Sequence, residues 1–241
     1  LLKADLTEMD LDKLANQTFL PCGEFESMTC GWSPTRGELV YNSGVHTLLT
    51  FTVEKKTVPA SAVKLALAER VKEFFDKEGF MPGKLRKKEL KEEEIDQLQG
   101  RAFPNRKHTQ VWINRANGRV IVDSVSNPVL DHIVQSLYTH AGLEVDELIQ
   151  VSPATHMTNW MLNASDFPVG FNSDDCVDLA VGPKAVRWAG GDLQDKAIAG
   201  YLEDAEEPAI VTNLAITWND KISFFLNHKG HVKKIKPLAI L

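Results

Sequence analysis

Apolar residues recur at helical spacing in some stretches of this chain and alternate in others. In residues 58–79, VPASAVKLALAERVKEFFDKEG, the side chains Val63, Leu67, Val71 and Phe74 share one helical face, and Gly79 closes the pattern. FMPG (80–83) breaks the chain, and KLRKKELKEEEIDQLQ (84–99) resumes as a helix with few apolar positions and many charges. Two helices around a Pro-Gly break predict a projecting helical arm rather than a core layer. VHTLLTFTVE (45–54) has the β-branched content of a strand, closed by Lys55 and Lys56. HTQVWINRANGRVIVDS (108–124) predicts a hairpin, with Asn117-Gly118 supplying the positive φ angles of a tight turn. SNPVLDHIVQSLYTHAG (126–142) predicts a helix with Ser126 as N-cap, Pro128 in its first turn and Gly142 as its stop.

Shorter signals fill the remainder. TEMDLDKLANQ (7–17) predicts a short amphipathic helix with Leu6, Met9, Leu11 and Leu14 on its apolar side, and PCG (21–23) a turn. GWSPTRG (31–37) is a loop with Trp32 as its anchor. ELIQVS (147–152) predicts a strand and PATHMTNWML (153–162) a helix. CVDLAV (176–181) and KAVRW (184–188) are strands, and DLQDKAIAGYLEDA (192–205) is a helix capped by Asp192. AIVTNLAITW and KISFFLN form a hairpin through Asn219-Asp220, and HKG turns into HVKKIKPLAIL. Strands joined by hairpins and mixed with helices give an α+β class with largely antiparallel sheets and helices packed on them. The divisions expected are an N-terminal α/β part at 1–58, the helical arm at 59–103, and a central and C-terminal α+β part at 104–241.

Composition and charge refine this picture. The chain has 241 residues, 43% of them hydrophobic, enough for a sizeable core. No apolar run is long enough to span a bilayer, and LLKADLTEMD is too acidic for a signal peptide, so a soluble protein with no membrane partner is expected. Cys22, Cys30 and Cys176 lack the spacing of a disulfide framework or a zinc site and read as reduced thiols of a cytoplasmic protein. The net charge of −6 is segregated: residues 84–119 carry +5, 120–228 carry −12, and 229–241 carry +4. Segregation suggests polar faces with different partners, or helix faces that simply bear charge.

Catalytic chemistry is sparse. No Gly-rich phosphate loop, HExxH or CxxC occurs. Glu54-Lys55-Lys56, with Glu38 upstream, imitates a nuclease Glu-x-Lys pair or ends a strand in solvated charge. Asp174-Asp175 reads as a turn, His108 and His156 as surface or hydrogen-bonded residues, and Trp112, Trp160, Trp188 and Trp218 as core. No catalytic residue, metal site or cofactor is expected.

Ordered blocks along the chain carry a resemblance. They are Pro21-Cys22-Gly23, Gly31-Trp32 with Pro34, Val58-Pro59, Lys88 to Glu93 leading to Arg101-Ala102-Phe103, Val111-Trp112-Ile113, and Val120 to Asp123 followed by Ser126. Met157-Thr158 with Trp160, Arg187 with Asp192-Leu193, Leu214-Ala215 with Trp218, and Ile222 with Phe224 complete the set. In their order and spacing these blocks resemble the RdgC family of bacterial recombination-associated, nucleoid-associated DNA-binding proteins. The resemblance implies a horseshoe-shaped α+β subunit that pairs into a ring-shaped homodimer around double-stranded DNA. It implies sequence-nonspecific binding, functional antagonism of RecA, and no cofactor.

Phe103 matches a family phenylalanine at the gate, one of the two contacts that close the ring; the alternative is a ring tucked under its own arm. The candidates for lining the DNA are Lys84, Arg86, Lys87, Lys88, Arg101, Arg106, Lys107, Arg187, Lys233, Lys234 and Lys236. For Lys84 to Lys91 the competing reading is a solvated helix paired with Glu92–Glu94. The chain departs from the family at Trp188-Ala189-Gly190-Gly191, where a basic and amide run is expected. The family's opening strand is missing before Leu1 and its helical segment after Leu241, as in an incomplete chain or a shortened phage or plasmid member. Two other readings stand beside the DNA ring: a protein-interaction module of the same fold with weakened DNA binding, and a metal-dependent nuclease.

Overall fold

The computed structural model describes residues 2–4, 9–147, 152–191, 193, 196–204, 206 and 208–238. Its contacts divide the chain into two units, Leu2–Asp146 and Glu147–Leu241. The first begins with β1 (Leu2–Ala4), a 3-10 helix (Leu11–Gln17), β2 (Met28–Ser33), β3 (Tyr41–Ser43) and β4 (His46–Lys56). α1 (Ala60–Glu78), α2 (Lys84–Arg101), β5 (Pro104–Asn114), β6 (Arg119–Val122), α3 (Asn127–Ala141) and β7 (Val145–Glu147) follow. The sheet runs β2-β4-β5-β6-β1-β7, with β3 also on β4. Its registered pairings are antiparallel, and β4 with β5 forms the longest ladder, from His46↔Asn114 to Lys56↔Pro104.

Period-2 alternation decides which face is core. Leu49 and Phe51 of β4 lie beside Trp32, Val111, Ile113 and Val120, all fully buried. Leu11 and Leu14 of the 3-10 helix and Ile133, Leu137 and Ala141 of α3, four residues apart, cover them. Each such large side chain contributes about 1.5–3 kcal/mol by leaving water.

Trp32 ties three elements together. Its ring meets Phe51 edge-on at 5.0 Å, and its Nε1–H donates to Ser136 Oγ of α3 at 2.8 Å. The Ser136 hydroxyl in turn donates to Gln17 Oε1. The chain leaving the 3-10 helix crosses directly over Gly31: Phe19 N–H donates to Trp32 O at 2.8 Å. A Cβ on residue 31 would stand 2.7 Å from Gln17 O and Phe19 N.

Several expectations are corrected here. The start of GWSPTRG is strand, because Gly31 and Trp32 pair with Thr52 and Phe51. The N-terminal helix is a 3-10 turn from Leu11; Leu6, Thr7 and Glu8 lie outside the described residues. β1, paired Leu2↔Val120, had no sequence signal. The β5–β6 connection is a four-residue loop after Asn114↔Arg119, in which Gly118 alone is left-handed (φ 66°). Asn117 serves by side chain instead, accepting from Arg119 N–H at 3.1 Å. Ser126 makes no side-chain cap bond; its carbonyl accepts from Val129 and Leu130.

α1 and α2 pack against each other. Val63 is the buried residue of α1 and Leu90 that of α2. Arg70 reaches Glu94 across the pair at 3.6 Å, and Phe74 meets Phe80 at the bend.

The second unit contains α4 (Pro153–Leu162), a 3-10 turn (Ala164–Asp166), β8 (Phe171–Val181), β9 (Lys184–Ala189), α5 (Lys196–Leu202), β10 (Ile210–Trp218), β11 (Ile222–Asn227) and β12 (Val232–Pro237). Its sheet runs β12-β11-β10-β8-β9, antiparallel throughout. Met157, Met161, Val177, Leu179, Ile198, Val211, Leu214 and Ile216 form its core. Thr158 donates to Ala154 O at 2.8 Å and accepts from Val211 N–H at 3.1 Å, fastening α4 to β10. Asn219 and Asp220 are both left-handed (φ 48° and 52°), as the predicted hairpin requires. Trp160 and Trp188 flank this core, but Trp218 is exposed at the strand end and Trp112 is half-buried, stacked on His46. The Asp192 cap and residues 148–151 of the expected strand lie outside the described residues.

Gly31→Ala should destabilise the fold by about 1–3 kcal/mol, because its new methyl meets backbone atoms that have no rotamer by which to move away. A thermal melt against the parent checks this; an unchanged melting temperature would show that residues 17–19 can lift off β2.

Candidate nucleic-acid interface

The α+β class with antiparallel sheets holds, and it distributes the candidate cations over separate places. Lys84, Arg86, Lys87 and Lys88 begin α2, and Arg101 ends it. Seventeen positions at 1.5 Å each separate Lys84 from Arg101 by about 26 Å. Arg106 and Lys107 follow on β5, next to the Arg101 end. In the second unit Lys233, Lys234 and Lys236 lie on β12 and Arg187 on β9, the two opposite edges of that sheet. Four strand spacings put those edges about 19 Å apart.

Carboxylates claim some of these cations. Arg86 contacts Glu89 at 2.7 Å and Glu93 at 3.3 Å, and Lys88 lies 3.7 Å from Glu92, all on one helix. Arg187 stands 3.8 Å from Asp178, and Lys234 lies over the Phe225 ring at 4.8 Å. Among the described residues Lys84, Lys87, Arg101, Lys107, Lys233 and Lys236 make no ion pair, so their charge is the least compensated.

Phe103 stands between α2 and β5. Ala102 N–H still bonds to Gln99 O at 3.2 Å, and Pro104 already pairs with Lys56, so both neighbours are held. The ring is 94% exposed, which removes the reading that tucks it under its own arm. A second exposed ring, Phe25, belongs to a turn whose carbonyl accepts from Gln99 Nε2 at 3.1 Å, one helical turn before Phe103. One aromatic beside PCG carried no sequence signal that would have singled it out.

Glu54 and Lys56 are structural. Glu54 is buried at the end of β4, where it accepts from Cys22 N–H at 2.8 Å and from Arg106 Nε at 2.7 Å. Arg106 also covers the Phe19 ring at 4.9 Å. Lys56 Nζ donates to Gly23 O and Glu24 O at 2.7 and 2.9 Å. Both groups are thus engaged in holding the Pro21–Glu24 corner to the sheet, and no group of three metal-ligating side chains occurs among the described residues.

The Cys22 N–H, and after it the Arg106 guanidinium, hold the Glu54 carboxyl below its ordinary value of 4.5, against burial that acts to raise it. A lowered folded value stabilises the fold fully above the unfolded value and loses that stabilisation as pH falls through the folded one. Urea melts from about pH 6 down to about pH 3 should show an acid-side loss of stability that is smaller in Glu54→Gln. Identical pH profiles for the two proteins would show that Glu54 does not couple the corner to the sheet.

Comparison with known proteins agrees with the ordered blocks. A family model described as "Putative exonuclease, RdgC" matches residues 2–241. The recombination-associated protein RdgC of Burkholderia ambifaria is 34% identical over 239 residues, covering 95% of this chain and 76% of that protein. Its namesake in Janthinobacterium is 33% identical over 95% of this chain and 77% of its own length. That of Cupriavidus necator is 33% identical over 249 residues, covering 100% of this chain and 80% of its own. With the match running from end to end, the chain belongs to the RdgC family.

Proposed function

We propose that this chain binds double-stranded DNA without sequence preference, as a ring-shaped homodimer of horseshoe-like subunits, and thereby antagonises RecA in recombination. It acts by binding alone, with no cofactor, in the cytoplasm and on the nucleoid. The observation that carries the reading is Phe103: a ring 94% exposed, held on both sides and flanked by Arg101 and Lys107. An exposed aromatic on an ordered corner suits a small isologous contact, where such anchors supply most of the binding energy. The six uncompensated cations supply the phosphate contacts, and the acidic remainder of the chain repels DNA from other surfaces. Relatives named as recombination-associated proteins support a role in which DNA is the partner. The pairing of Arg86, Lys88, Arg106 and Arg187 with carboxylates favours the second reading, an interaction module that binds DNA weakly.

Titration with duplex DNA at several salt concentrations separates the two. Each phosphate contact contributes about 0.9 to the log–log salt slope, so a slope of at least about −4 is expected, indifferent to sequence. Lys84→Glu with Lys87→Glu should lower the slope by about 1–2. A flat response supports the interaction module. Magnesium- or manganese-dependent cutting would replace both with a nuclease.

Phe103→Ser should leave the thermal melt within about 0.5 kcal/mol of the parent and weaken self-association by about 2 kcal/mol. Sedimentation measures the second quantity. Binding to closed circular and to linear DNA should then diverge, because only a ring that opens can load onto a circle. Unchanged self-association would remove Phe103 from the dimer contact.

A further inference from the structure

Where β4 runs into α1, a cleft of about 570 Å³ opens between the strand end and the two arm helices. Val58, Ala60, Val63, Leu67 and Ile95 make an apolar lining, with Val63 buried and Val58, Leu67 and Ile95 half-buried. Lys55, Lys64 and Lys91 stand exposed around it, one each from β4, α1 and α2. None of the three makes an ion pair among the described residues, although α2 is rich in glutamate. Those glutamates face other cations: Glu89 and Glu93 meet Arg86, Glu92 meets Lys88, and Glu94 meets Arg70. The other polar groups of the cleft are largely occupied, Lys56 by the carbonyls of residues 23 and 24 and Gln99 by Phe25 O.

We propose that this cleft receives a short acidic peptide segment of another protein, seating one apolar side chain on the floor and its carboxylates among Lys55, Lys64 and Lys91. Charge complementarity and the layout of the cleft together select that occupant. An apolar floor offers nothing to a phosphate backbone, which presents charge without a hydrophobic anchor. The ammonium groups come from three elements rather than converging on one buried polar group, so they suit several spaced negative charges better than the single head of a small amphiphile. A volume of this size holds an anchor side chain and its neighbours. None of the three lysines belongs to the residues proposed for DNA, so the site stands or falls independently of that reading.

Fluorescence anisotropy of the full chain with a labelled peptide of five aspartates closed by one leucine tests this. Saturable binding is expected, weakened at least about tenfold by Leu67→Glu and by Lys64→Glu combined with Lys91→Glu. The lysine positions are exposed, so the double variant should melt like the parent and keep the test informative if Leu67→Glu fails to fold. No saturable binding overturns the proposal. So does equal binding of a peptide in which aspartate replaces the leucine, since charge alone would then explain it. Displacement of the peptide by laurate at comparable concentration overturns the peptide assignment in favour of a small amphiphile. Binding unaltered in the lysine double variant removes the cleft as its location.

Discussion

Trp32 is fully buried, so its indole N–H must find an acceptor inside the protein. Ser136 of α3 accepts that N–H, and the same hydroxyl reaches Gln17 at the end of the 3-10 helix. One bulky side chain thereby fixes the angle of a helix, the end of a second helical segment and the strand that bears it. Removing the N–H alone would leave Ser136 without its donor; removing the ring would empty the centre of the core. The neighbouring glycine belongs to the same requirement. Residues 17–19 can reach Ser136 and β2 together only by crossing residue 31 closer than any Cβ permits.

The opposite face of the same sheet is organised by polarity. Thr50, Thr52 and Glu54 alternate with the core residues of β4 and are themselves buried. Each is answered across the strands. Ser33, Thr52 and His108 form one rung at 2.7 and 2.8 Å, and Thr35, Thr50 and Gln110 another at 2.6 and 3.2 Å. Cys22, Glu54 and Arg106 form the third. Buried polar groups are tolerated when every rung is closed, and the closed rungs specify register more sharply than apolar contacts do. The consequence for function is that Arg106, which the charge pattern groups with Lys107, serves the sheet first.

Much of this was legible in the sequence. Helical spacing and terminal glycines located α1 and α3, and Asn219-Asp220 set a hairpin, because these features depend on neighbours a few residues away. What could not be read depended on distant partners. β1 is three residues with no pattern of its own and exists because Val120 and Arg119 offer it an edge. Asn117-Gly118 looked like a two-residue turn, but the loop length is decided by where Asn114 and Arg119 stop pairing. At the candidate site, the sequence could name the cations and, on α2, the neighbouring glutamates that pair with them, but not the carboxylates that come from other strands. Arg187 and Asp178 meet only because β8 and β9 align them. The exposure of Phe103 likewise follows from what holds Ala102 and Pro104, not from the residue itself.

The β4–β5 ladder runs without a shift through eleven pairs and halts at Lys56↔Pro104, where the proline has no N–H with which to continue it. Faces alternate along every residue of that span. Inserting or deleting one codon between positions 104 and 114 would exchange the hydrophobic face for the polar one and turn every residue beyond it over. An added residue avoids that flip where the ladder has ended, in the 115–118 loop. Descendants of this chain could lengthen that loop freely, while the distance from the hairpin to the Phe103 corner stays fixed like a ruler.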